Sequence, residues 1–188
     1  MIRDNPLLGP EWEALAEAIA LVIRETRKNR TFSITTYGKR YGLSPNRSPY
    51  FQGARDEFGE LFIEAAANLI CDPPLTEEDF AMMEFLSWDR PALNPDEYRN
   101  REPDSESSNQ PNFERRFTEE VDPVDIAEFI MQTMVVVYGL TEEDFFNFGG
   151  RDTAEKVEKL GKLGRLAYSE GNPAREIFAM PGRHQDLL

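Results

Sequence analysis

Between Ser48 and Asp72 apolar residues recur at Phe51, Ala54, Phe58, Leu61, Phe62, Ala65, Leu69 and Ile70. Steps of three and four residues are the period of an α-helix, and they gather these side chains into one stripe. Such a stripe must be buried against another apolar surface, so it constrains the fold more than any other feature of the chain. Ser48-Pro49 reads as an N-cap with a first-turn proline, and Asp72-Pro73-Pro74 as the stop.

The same period appears elsewhere. Trp12, Leu15, Ala16, Ile19, Val22 and Ile23 predict a helix over about 10–28. Phe32 and Ile34 alternate with polar residues and allow a short strand. Thr35 or Thr36 then caps a short helix through Tyr41 that Gly42 ends. A helix is expected from Glu77 to about Trp88, with Phe80, Met83, Phe85 and Leu86 as core candidates. Asp122-Pro123 opens another, with Ile126, Phe129, Ile130, Thr133, Met134 and Val137 inward and Gly139 at its end. Further helices are expected from Asp152 or Thr153 to Tyr168, and from Asn172-Pro173 to Pro181-Gly182.

The expected fold is therefore all-α: an irregular bundle of about seven or eight helices with at most one short strand near 31–35. Residues 90–115 hold few large apolar side chains and many Pro, Ser, Asn and acids. They read as a polar linker or extended loop between an N-terminal helical part, 1–89, and a C-terminal one, 116–182, with 183–188 as a tail.

The hexapeptide LTEEDF occurs twice, at Leu75–Phe80 and Leu140–Phe145. Each copy contains a whole helix start. Thr76 and Thr141 stand as N-caps, Asp79 and Asp144 close a capping box, and Leu75/Phe80 and Leu140/Phe145 form hydrophobic staples. The glutamates favour the positive end of the helix dipole. On this reading the second copy opens a short helix that stops at Gly149-Gly150.

Charge is segregated. The 188 residues carry a net charge of −14, yet residues 24–55 carry eight bases against one acid, and residues 56–128 carry twenty-one acids against five bases. Such asymmetry marks a partner-facing surface. The binding candidates in the basic segment are Arg27, Lys28, Arg30, Lys39, Arg40, Arg47 and Arg55; the acidic-surface candidates are Glu77, Glu78 and Asp79. The stretch SITTYGKRYGLSPNR resembles part of a helix-turn-helix. Tyr37 and Tyr41 would lie inward on a first helix, and Ser44 would cap the second.

Chemistry is harder to assemble. The single histidine, His184, lies in the tail, so neither a Glu-x-x-His metal pair nor a Ser–His or Cys–His nucleophile can be built around it. LTEEDF lacks calcium-loop spacing. No catalytic residue, metal or cofactor is expected. A lone cysteine, Cys71, and a start without a signal peptide point to the cytoplasm; the most apolar run, 134–138, is too short to span a bilayer.

The function expected from sequence is a non-enzymatic helical interaction module, an adaptor, regulator or assembly factor that binds a protein or nucleoprotein through segregated charge. The alternatives are a nucleic-acid binder acting through 24–55 and an acidic mimic of nucleic acid that blocks a basic partner. An enzyme would need clustered carboxylates with perturbed pKa values in a concave pocket.

Overall fold

The computed structural model describes residues 12–37, 48–67, 71–91, 112–141 and 145–150. It contradicts the all-α expectation. Five strands, β1 (Arg30–Tyr37), β2 (Tyr50–Arg55), β3 (Leu61–Ala65), β4 (Phe113–Phe117) and β5 (Phe145–Gly150), form one sheet in the order β4-β3-β2-β1-β5. Every neighbouring pair is antiparallel. Three helices accompany it among the described residues: α1 (Glu13–Glu25), α2 (Glu77–Phe85) and α3 (Pro123–Val136). The fold is mixed α/β, and the strand allowed near 31–35 is one of five.

The long helix expected from Ser48 to Asp72 is instead the β2–β3 hairpin, because the apolar spacing of this stretch satisfies two periods at once. Phe51 and Gly53, and Leu61, Ile63 and Ala65, are buried at every second residue, the alternation of a half-buried strand. The turn between them carries the signature Asp-x-x-Gly. One carboxylate oxygen of Asp56 accepts from the backbone N–H groups of Phe58 and Glu60, both at 2.9 Å. Gly59 sits at φ +97°, a conformation that suits glycine. Phe58, expected on a buried stripe, is at the turn and 74% exposed. Ala54 and Phe62 face the side of the sheet opposite Phe51 and Ile63. Leu69 and Ile70 lie outside the described residues.

The helix-turn-helix expectation also fails. Strand β1 continues through Tyr37, so no helix begins at Thr35 or Thr36. Thr36 is buried, and both its backbone N–H and its hydroxyl donate to the Pro49 carbonyl, at 3.0 and 2.9 Å. Residues 38–47, which include Tyr41 and Ser44, lie outside the described residues, as do the helices expected over 152–168 and 172–182.

One face of the sheet builds the core. Phe32 and Ile34 of β1, Phe51 of β2, Leu61, Ile63 and Ala65 of β3 and Phe113 of β4 are buried in the same cluster as the apolar stripes of α1 and α3, and the two helices pack on each other. Gly53 lies opposite Phe32 and Ile63 in the ladder, and a Cβ there would run into the Phe32 ring. The Phe51 ring meets Trp88 at 6.0 Å and Tyr138 at 5.7 Å between centroids. Two polar groups buried in this core are matched: Trp88 Nε1 donates to Thr133 Oγ1 at 2.9 Å, and the Tyr138 hydroxyl donates to the Ala66 carbonyl at 2.7 Å.

The helices that sequence placed best are those with strong local signals. Helix α1 buries all six expected stripe residues. Asp122 caps α3 through the Val124 N–H at 2.9 Å with Pro123 in the first turn, and Gly139, at φ +64°, stands just past its end. At the first LTEEDF the capping box is complete: Asp79 N–H donates to Thr76 Oγ1 at 3.2 Å, and Thr76 N–H to Asp79 Oδ2 at 2.8 Å. Leu75 and Phe80 are fully buried. Helix α2 ends at Phe85, however, and Phe85 is not a core residue but 81% exposed. The second LTEEDF does not open a helix over 145–150: Phe145 is the first residue of β5, which pairs with β1 from Phe32 to Tyr37.

The segment expected to be a linker, 90–115, ends inside β4 (Phe113–Phe117), and an isolated bridge joins Asp89 to Glu114 through N–H donations in both directions at 2.8 and 3.1 Å. The chain therefore returns at Glu114 to the backbone it left at Asp89.

Candidate functional site

Three surfaces carry side chains that the core does not require. The first is the outer side of α2. Phe80 and Met83 point into the core, while Glu78, Ala81, Met82 and Phe85 are exposed. Positions 78, 82 and 85 are spaced by four and three residues, so they share one helix face. Met82 is 37% and Phe85 81% exposed. To one side of them, Arg90 donates to Glu84 Oε1 at 2.7 Å and to Glu77 Oε2 at 3.3 Å, while its guanidinium lies 5.1 Å from the Phe80 ring centroid. Those carboxylates hold the Arg90 pKa above its usual value. Asp79 is committed to the capping box. The patch thus combines two exposed apolar side chains with four carboxylates and one guanidinium.

The second surface is the outer face of the sheet. Ladder register places Ser33, Gln52, Glu64 and Glu114 side by side across β1 to β4, with Asp89 bridged to Glu114 beyond them. Like charges directly opposite one another are unfavourable. Burial, and then the charge of Glu64, push the Glu114 carboxyl above the ordinary carboxylate range, with Asp89 adding and Arg116 opposing. Glu114 Oε1 is buried without a hydrogen-bond partner among the described residues. Beside it, Asn112 donates to the Tyr50 hydroxyl at 2.8 Å and to Glu64 Oε2 at 3.5 Å, and accepts from Ala67 N–H at 3.3 Å. Burial raises the Tyr50 phenol. A carboxyl raised in this way suits acid–base chemistry, but neither Glu114 nor Tyr50 lines the third surface, which is the concave one. Among the described residues no group of three or more His, Cys, Asp or Glu side chains could hold a metal.

That third surface is a half-open hollow of about 360 Å³ at one end of the sheet, lined among others by Thr31, Ala54, Phe62 and Arg116. These four are consecutive partners across β1, β2, β3 and β4, so they form one rung of the outer face. Ala54, the smallest, lies between Thr31 and Phe62. The Arg116 guanidinium lies 5.3 Å from the Phe62 ring centroid. Asn29, Arg30, Arg55, Asp56, Glu60 and Leu61 also line it.

The basic candidates divide accordingly. Arg27 and Lys28 are exposed in the turn between α1 and β1. Arg30 starts β1 directly opposite Arg55, the last residue of β2. Arg55 is spent on structure: its guanidinium donates to the carbonyls of Thr26 at 3.0 Å, Gly59 at 2.6 Å and Ile23 at 3.4 Å, tying the end of α1 to the β2–β3 turn. Lys39, Arg40 and Arg47 lie outside the described residues. Sequence reasoning missed Met82, Phe85 and Arg116. A strand-period reading of 50–65 and 113–117 would have put Phe62 and Arg116 on one outer face, whereas the staple with Leu75 marks Phe80 for burial but no local signal marks Phe85 for exposure.

Comparison with known protein families, with curated proteins and with solved structures finds no match. Among the described residues no helix is long and apolar enough to cross a membrane.

Proposed function

We propose that the protein is a non-enzymatic interaction module that docks a protein partner on the outer side of α2. The observation that carries this is the 81% exposure of Phe85 beside Met82 on a helix whose opposite side already fills the core. A helix that is apolar on two sides is suited to cover on both, and exposed aromatic and Met side chains are typical anchors of protein interfaces. The surrounding Glu77, Glu78, Asp79 and Glu84, of which Glu77 and Glu84 pair with Arg90, favour a partner whose apolar groove is rimmed by Lys or Arg. This keeps the expected use of segregated charge and moves its centre from the basic segment to the acidic one. The cytoplasm is the compartment in this reading, since the buried Cys71 is a free thiol.

The test is to recover a partner with the wild-type chain, purify it, and measure binding against salt. Phe85→Ser with Met82→Ser should weaken binding at least tenfold at unchanged thermal midpoint. Glu78→Lys should weaken it mainly at low salt, where charge steering is strongest. Equal affinity of both variants and wild type for that partner would refute docking on α2.

A further inference from the structure

We infer that the outer edge of β5 is a pairing surface for β5 of a second copy of this chain, joining two sheets into one across a two-fold axis at Asn147. The sheet has two edge strands, β4 and β5. On β4 the outward backbone groups of Glu114 are already taken by Asp89, and Glu114, Arg115 and Arg116 are charged. On β5, FFNFGG, no residue is charged, and no strand lies on its far side among the described residues. Charged side chains on an edge strand discourage edge-to-edge pairing, and β5 lacks that protection.

The ladder fixes which backbone groups point outward. The Thr36 N–H donates to the Pro49 carbonyl, so Phe32, Ile34 and Thr36 direct their backbone groups to β2. Antiparallel pairs alternate, so Ser33, Thr35 and Tyr37 direct theirs to Gly149, Asn147 and Phe145 of β5. Phe146, Phe148 and Gly150 therefore direct theirs away from the sheet. Two copies related by a two-fold axis can bond only through these even-numbered positions, so the axis falls on a residue and not between two. An axis at Asn147 sets Phe146 of each copy opposite Phe148 of the other, and aromatic pairs of this kind stabilise neighbouring strands. An axis at Phe146 would set Phe148 opposite Asp144, and one at Phe148 would set Phe146 opposite Gly150. The flanking sequence agrees with Asn147: Glu143 precedes the strand and Arg151 follows it, so the same axis sets opposite charges against each other. A contact that an element makes with itself about a two-fold axis closes as a dimer.

Analytical ultracentrifugation of the full chain over a concentration series tests the pairing, with amide exchange followed residue by residue. It is done at about 0.15 M salt, where repulsion between two chains of net charge −14 is screened over about 8 Å. A reversible dimer is expected. Exchange at the Phe146, Phe148 and Gly150 amides should slow as the dimer forms, while that of Asn147 and Gly149, already directed to β1, should stay the same. Asn147 is opposite Thr35, on the side of the sheet away from the core, and at the axis it meets its own copy at the closer of the two antiparallel spacings. Asn147→Lys and Asn147→Asp each set like charges together there and should weaken self-association at least tenfold. Mixing the two variants should restore association, which misfolded variants would not do. Met82→Ser with Phe85→Ser should leave the dimer unchanged, so docking on α2 and pairing through β5 fail separately. A monomer at every concentration, a dimer with unchanged exchange at Phe146 and Phe148, no recovery on mixing, or loss of the dimer in the α2 variant would each overturn the pairing.

Discussion

The two copies of LTEEDF share six residues and lead into different structures. After the first copy the chain continues Ala81-Met82-Met83-Glu84-Phe85 and is helical to Phe85. After the second it continues Phe146-Asn147-Phe148-Gly149-Gly150 and is a strand from Phe145. The acids and caps are identical; the helix propensity of the next five residues is not. Ala, Met and Glu are strong helix formers, whereas Phe and Asn are weaker and two glycines cost about 1 kcal/mol each in a helix. The second continuation also has a partner, since six residues of β1 are in register with it. A capping box starts a helix only where the next two turns favour helix as well.

The sheet that Phe145, the last residue of the second copy, joins is where the largest mutational effect is expected. Phe51 is fully buried between Trp88 and Tyr138, so Phe51→Ala should cost about 3–5 kcal/mol, measured by urea unfolding. If instead the loss were below about 1 kcal/mol, the sheet core would not be the dominant source of stability, and the contrast between the two copies would need another cause.

Gly53→Ala comes next. It adds one carbon where the Phe32 ring already sits, and overpacking of this kind costs about 1–3 kcal/mol. On the helical reading of 49–71 the same change would stabilise the protein by about 1 kcal/mol, since Ala is the better helix former. The sign of the change in unfolding free energy therefore decides between hairpin and helix at this position.

How much of the fold is legible in the sequence depends on the range of the forces involved. The caps at Thr76 and Asp122 and the stripe of α1 depend on neighbours within four residues, and these stand where the sequence places them. The sheet depends on pairings such as Phe32 with Gly150 and Ala65 with Phe113, which no local window contains. Helical spacing in 51–70 is a coincidence of two periods, and only the Asp56–Gly59 turn signal separates them. Of the candidate surfaces, the acids of α2 are visible as a string, but the exposure of Phe85 depends on which side of α2 the core takes. The rung that unites Thr31, Ala54, Phe62 and Arg116 exists only once four strands are aligned.

The cap itself gives a smaller effect. Thr76→Ala removes the acceptor for Asp79 N–H and should cost about 1 kcal/mol. It should leave the hydrogen-exchange protection of β1 and β5 unchanged, because their pairing does not involve α2. Loss of protection in the sheet at the same level as in α2 would show that the two copies answer to one cooperative unit rather than to local and long-range forces separately.

The smallest effect is one of pH, and it belongs to the sheet alone. Burial and the facing Glu64 raise the Glu114 carboxyl, so the folded state binds its proton more tightly than the unfolded chain does. The stabilisation from protonated Glu114 is fully present below the ordinary carboxylate pKa, and it is lost as pH rises through the raised folded value. Near neutrality the ionised Glu114 therefore opposes folding, by a fraction of a kcal/mol because the group is partly exposed and solvent screens it. Glu114→Gln keeps the shape without the charge. It should raise the thermal midpoint slightly at pH 7, and the gain should shrink towards zero as pH falls below the carboxylate range. The control is Glu78→Gln on α2, which removes one acid from the first turn of a helix; this should lower the midpoint at pH 7 through the lost dipole interaction. Opposite signs for two neutralised glutamates would separate a like-charge row made by strand pairing from an acid placed to suit its own helix. The same sign for both would mean that net charge, not position, governs the response.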